Sequence, residues 1–240
     1  MKLRGLLISV TVFAIGMAFL ESAVVVYIRE LLYPEGFTFP LAIMEGSLAL
    51  TEILRELATL IMLLTIAIIA GRSFSTRFAW FLYSFAIWDV FYYVFLKLLI
   101  DWPESLFTWD VLFLIPVTWT GPVISPLIEC FIMIALFAVL VFYSDKKVDT
   151  RIKMKEWVLM IAGAVIVILA FTWDYSGYIL EKYSLADIWN LPDNNSLLEY
   201  ATGYIPRKFN WWLYSAGNLV IISALYFIYR RLSDEAVSKV

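Results

Sequence analysis

The sequence contains no histidine and a single cysteine, Cys130, and charged residues fill only 16% of its 240 positions. Without histidine there is no His-ligated zinc or haem, no imidazole acid–base catalysis and no Ser-His-Asp arrangement. One cysteine excludes an internal disulfide and any multi-cysteine metal site. The chemistry open to the chain falls to carboxylates, hydroxyls, Arg, Lys or a bound cofactor. A soluble domain carries about 25% charged residues; here the missing charge leaves long runs almost bare of it. The net charge of −3 is small, and no basic stripe or zinc spacing points to nucleic acid.

In place of charge there is hydrocarbon: 62% of residues are hydrophobic, 18% are aromatic, and the mean hydropathy is +0.83. Apolar runs of about twenty residues are long enough to cross a bilayer. The pattern predicts an all-α integral membrane protein with six transmembrane helices, at about 5–28, 46–71, 78–100, 122–143, 156–173 and 209–229. No linker or convincing repeat divides residues 1–240, so one polytopic membrane domain is expected. The basic start, Lys2 and Arg4, resembles a signal peptide. However, the apolar run continues to Ile28, and Glu21 would occupy the −3 position of a cut after Ala23, so an uncleaved helix is expected.

The stretch Trp109 to Pro126 is apolar but interrupted by Pro116, Gly121, Pro122 and Pro126. So many breakers exclude a full span and predict a broken re-entrant or interfacial segment at about 109–125. Ser125-Pro126 reads as an N-cap and first helical residue opening the fourth span. The connection from Trp173 to Arg207 is polar and holds Pro192 and a formal glycosylation sequon at Asn194.

Charge asymmetry predicts the orientation. With both termini cytoplasmic, one side collects Lys2, Arg4, Arg72, Arg77, Lys146, Lys147, Arg151, Lys153, Lys155, Arg230, Arg231 and Lys239, and the other only Arg29, Lys97, Lys182, Arg207 and Lys208. That is a positive-inside pattern and predicts the plasma (inner) membrane, with the 109–125 segment on the outer side.

The acids are the unusual feature. At 100° per residue, Glu45, Glu52, Glu56 and Thr59 share one helical face of the second span, and Leu63 occupies that face one turn on. Carboxylates at bilayer depth usually face a protein interior or a water-filled cavity. Glu21 lies on a strip of small residues with Ala14, Met17 and Ala18. Asp89 falls mid-span, with Tyr92 and Tyr93 placed to hydrogen-bond it. Asp110 sits on the broken segment and Glu129 early in the fourth span. The orientation puts all of these in the middle or outer half of the membrane. The expected site is therefore Glu21, Glu52, Arg55, Glu56, Asp89, Tyr93, Asp110 and Glu129 around an outward-facing pocket, closed inward by Leu63.

Each residue has a plainer alternative. Glu52 and Arg55, three apart, read as an ion pair that only joins helices. Glu129 reads as an acid favoured by its helix dipole, Cys130 as a small buried apolar residue, and Asn218 as an interhelical hydrogen bond. Trp-Asp pairs occur three times, at Trp88-Asp89, Trp109-Asp110 and Trp173-Asp174, more often than composition predicts.

This donor set suits transport or binding of a cation, a proton or a cationic solute, with no catalytic residue assigned. Of metal ions it suits a hard divalent cation, Ca²⁺, Mg²⁺ or Mn²⁺, held by Glu52 and Glu56. Two further readings remain: a membrane enzyme acting on a lipid or isoprenoid, against which stands the lack of spaced aspartate motifs, and an accessory subunit of a larger membrane complex. The expected partner is the lipid bilayer.

Overall fold

The structure is a computed structural model that describes residues 3–42, 46–115, 117–184 and 195–238. Glu45, Pro116, Pro192, the sequon residue Asn194, Lys2 and Lys239 lie outside the described residues. Helix α1 spans Leu3–Leu32, α2 Gly46–Ala70 and α3 Phe74–Ile100; strands β1 (Trp109–Phe113) and β2 (Trp119–Pro122) follow; then come α4 (Ile124–Asp145), α5 (Met154–Leu180), the short α6 (Asn195–Thr202) and α7 (Trp211–Val237). Six of the helices, α1 to α5 and α7, are long and apolar enough to cross a membrane. At 1.5 Å per residue they measure about 33 to 45 Å, at least the thickness of a hydrocarbon core. The chain is a multi-pass membrane protein.

Burial follows the helical period, but its chemistry is the reverse of a soluble bundle. On α2 the buried stripe is Glu52, Glu56, Thr59, Leu63, Ala67 and Ala70, whereas Leu54, Ile61, Leu64, Ile68 and Ile69 are exposed. Apolar groups on the outer surface are at no disadvantage when the solvent is lipid, and polar groups are driven inward.

Three helices run past the ends expected from the apolar runs. α1 continues through Arg29 to Leu32, because nothing breaks it before Pro34. α5 extends seven residues past Trp173, through Asp174, to Leu180. α7 continues through Arg230 and Arg231 to Val237, since Arg231 is occupied: it forks onto the buried Glu156 carboxylate at 2.7 and 2.9 Å. Ser73 and Thr76 form a reciprocal capping box that starts α3 at Phe74, one turn before the expected Phe78.

The 109–125 segment is the main departure from an all-α expectation. It folds into a two-stranded antiparallel hairpin pairing Trp109 with Pro122, Asp110 with Gly121 and Val111 with Thr120, with an irregularity between Val111 and Phe113. Proline and glycine prevent a helix here, while Trp, Val, Phe and Thr favour extended backbone. Pairing the two arms satisfies backbone groups that lipid would leave bare. Ser125 is not the N-cap of α4. The helix begins at Ile124, and Ser125 Oγ donates back to the Pro122 carbonyl at 2.6 Å.

Close packing concentrates away from the hairpin. There Val10, Ala67, Trp80, Phe137, Leu140, Ile228 and Leu232 belong to one continuous buried cluster. Helices α5 and α7 pack most extensively of all pairs. Gly163 and Gly217 allow it: a Cβ on Gly217 would stand 2.9 Å from the Val167 backbone nitrogen and 3.0 Å from the Gly163 carbonyl. By contrast, α1 and α2 touch only sparsely, and the wedge they leave at the hairpin end is where the cavity lies.

Candidate functional site

A cavity of about 660 Å³ occupies that wedge, walled by α1, α2, α3 and the hairpin and bordered by Tyr175, Ala201 and Thr202. Seven of the eight residues singled out in the sequence line it: Glu21, Glu52, Arg55, Glu56, Asp89, Tyr93 and Asp110. The eighth, Glu129, does not. It sits in the second turn of α4, too far in for the helix-dipole reading, and accepts a hydrogen bond from Asn218 Nδ2 at 2.9 Å. Leu63, fully buried, packs with Ala14, Met17, Ala18 and Trp88, and of these only Trp88 lines the cavity.

Arg55 is the hub of one side. Its Nε donates to both oxygens of Glu52 at 3.0 Å, and its two terminal nitrogens pair with Glu52 and Glu21. Glu21 has no base on its own helix at that depth, and α2 supplies one. Thr59 Oγ1 adds a long donation to Glu21 at 3.4 Å. The ion-pair reading of Glu52 and Arg55 is thus the observed contact, and it extends to a third residue on another helix.

Glu56, one turn on from Glu52, is not joined to Arg55. Its Oε2 accepts from the Leu114 backbone N–H at 3.1 Å, fastening α2 to the hairpin loop. Asp89 departs from expectation in its partner. Tyr93 does not reach it; instead Cys130 Sγ donates to Asp89 Oδ2 at 3.2 Å, so Cys130 is a polar contact and not only a small filler. Among the described residues neither Glu56 nor Asp89 has a cationic partner.

Asp110 forms the far wall. It takes Arg29 Nη2 at 3.3 Å on one oxygen and the Tyr93 hydroxyl at 3.2 Å on the other. Burial pushes its carboxyl up to about 6, with Arg29 and the Tyr93 hydrogen bond pulling the other way. The Arg29 guanidinium lies over the rings of Trp102, 3.8 Å from the centroid, and Phe37, at 4.4 Å, an arrangement that attracts cations. Its Nη1 is buried without a hydrogen-bond partner among the described residues.

Arg29 is the residue sequence reasoning missed, having placed it in an outer loop. The signal was present, since Glu21, Val25 and Arg29 fall on one stripe once the helix is continued past Ile28. Trp88 and Tyr92, which the sequence sets beside Asp89 as a Trp-Asp pair and an expected hydrogen-bond donor, also line the cavity, and among the described residues neither hydrogen-bonds Asp89. The three Trp-Asp pairs share no role: Asp89 and Asp110 line the cavity, whereas Asp174 accepts from the Tyr204 hydroxyl at 2.7 Å and the Arg207 N–H at 2.9 Å to anchor a loop.

No metal-holding group of three or more Cys, Asp or Glu side chains occurs among the described residues. Glu52, one of the two carboxylates proposed for a divalent ion, is occupied by Arg55. Comparison with known families, curated proteins and solved structures finds no match for this chain.

Proposed function

We propose that this membrane protein binds, and by alternating exposure of its site carries, an organic cation. The observation that supports this reading is the charge inventory of the 660 Å³ cavity: five carboxylates, Glu21, Glu52, Glu56, Asp89 and Asp110, against two guanidiniums, Arg29 and Arg55. The arginines are taken up by Glu21, Glu52 and Asp110, which leaves Glu56 and Asp89 as the counter-ions for a ligand. The volume lies within the range for small-molecule sites and is far larger than a bare ion needs. Trp88, Tyr92 and Tyr93 supply aromatic faces suited to an ammonium group. The positive-inside pattern supports an orientation with the hairpin face, and with it the cavity, toward the outside.

Arg55 serves as an internal countercharge, bridging α1 and α2 through Glu21 and Glu52. A second cation near Glu52 would compete with it, and loosening that bridge is the event that ties binding to helix movement.

Butyltrimethylammonium, a permanently charged probe that does not cross lipid unaided, tests the proposal. Purified protein in proteoliposomes is expected to take it up, and Glu56→Gln and Asp89→Asn are each expected to weaken its binding about tenfold, the loss of one charge contact. Absence of uptake and binding by the unaltered protein, or full retention of both in the two variants, defeats this reading.

A further inference from the structure

A second cavity, of about 270 Å³, lies between α3, α4, α5, α7 and the hairpin, and it shares Trp88, Asp89 and Leu112 with the first. Along α3 its wall runs from Phe78 to Asp89, eleven residues or about 16 Å. Apart from Asp89 and Glu129, the lining is aliphatic, aromatic or methionine. Glu129 is held by Asn218. On one side the lining residues Ala164 and Ile168 belong to the exposed, apolar surface of α5, so the cleft borders the face that a membrane-spanning helix turns to lipid. It is a hydrocarbon slot adjoining a charged chamber.

The shared wall carries one unsatisfied donor. Trp88 is only 6% exposed, and its indole Nε1–H is buried with no hydrogen-bond partner among the described residues. A buried N–H without an acceptor is costly, and this one stands in the wall common to both spaces. A ligand lying across that wall passes this donor, and a member of its class that carries an acceptor oxygen where head meets tail also satisfies it.

We propose that the ligand is a single-chain cationic amphiphile, whose ammonium head binds beside Glu56 and Asp89 in the large cavity while its alkyl chain lies in the α3–α4–α5 cleft. This rests on the reading of the large cavity as the organic-cation site and adds the class of molecule. Charge complementarity selects the head, the apolar slot selects the tail, and the shared residues set the distance between them. Entry is sideways, between the lipid-facing residues of α5 and the hairpin.

The test compares butyltrimethylammonium, which has a head and almost no tail, with dodecyltrimethylammonium at micromolar concentration. Binding is measured on the protein in nanodiscs, after subtraction of what protein-free nanodiscs take up. The long chain is expected to bind at least about tenfold more tightly, from burial of methylenes the short one lacks. Ala164→Phe and Ile168→Trp, both on the exposed face of α5, narrow the slot where a larger side chain has room to fold. Each is expected to remove most of the long-chain advantage and leave butyltrimethylammonium binding in place.

A dodecyl analogue with a diazirine at its last carbon gives a readout that needs no variant: its label is expected on α4 and α5 around Met133 and Met160. The proposal is overturned, and the cation site left standing, if both variants keep the advantage or the label falls on lipid-facing residues such as Leu98. If neither amphiphile binds, the cation site falls and the proposal with it.

Discussion

Arg55 shows how one side chain can decide the state of two others. Glu21 and Glu52 come from different helices, and each faces the same guanidinium. Removing the cation leaves two carboxylates in a poorly solvated wall, and breaking such a pair costs about 3–5 kcal/mol. Arg55→Gln is therefore expected to lower stability by about 3 kcal/mol, toward the lower end because the Arg55 side chain stays one-fifth exposed. The triple variant with Glu21→Gln and Glu52→Gln is expected to recover most of that loss. Thermal unfolding in detergent of the single and triple variants checks both; equal losses would mean that the carboxylates are not what Arg55 neutralises. The face of α2 that presents Glu52 and Glu56 follows from helical spacing, which is local. That Arg55 also reaches Glu21, or that Cys130 donates to Asp89, depends on which helices are neighbours and how each is rotated, and no run of residues encodes that by itself.

At the scale of elements, the site depends on unequal packing. Helices α5 and α7 are drawn together by Gly163 and Gly217, whereas α1 and α2 diverge. Gly217→Val places branched carbons against the backbone of α5, where the Val167 nitrogen and the Gly163 carbonyl cannot yield as a flexible side chain would. A destabilisation of about 1–3 kcal/mol is expected from overpacking, read as a lower unfolding temperature and a faster exchange of amide hydrogens on both helices. An unchanged unfolding temperature would show that the crossing is less close than described. The hairpin is the element that sequence reading took furthest from its true form. Its breakers are plain in the sequence and correctly rule out a span, but antiparallel pairing requires two arms to meet in register, and Pro116 lies between them. Helix ends were misjudged for a related reason: charges at Arg29, Asp174 and Arg231 look like stops until their partners Asp110, Tyr204 and Glu156 are seen.

For the whole molecule, the proposed orientation has a direct test. In a Cys130→Ser background, which keeps a hydroxyl donor toward Asp89, Lys182→Cys and Asp149→Cys place single thiols at exposed positions on opposite faces of the bundle. A membrane-impermeant maleimide added to intact cells is expected to label the first and to reach the second only after permeabilisation; the reverse would invert the topology and turn the cavity inward. The same division holds between what could and could not be read without coordinates. Residence in the bilayer and the count of six spans were settled by the sequence, because transfer of a helix into hydrocarbon is a sum over consecutive residues. The meeting of Glu21, Arg55, Glu56, Asp89 and Asp110 around one cavity, the placing of Glu129 outside that cavity, and the apolar cleft behind Trp88 were settled only by tertiary structure. Those depend on the angular setting of helices distant in the chain, a property of the packed bundle that has no local term.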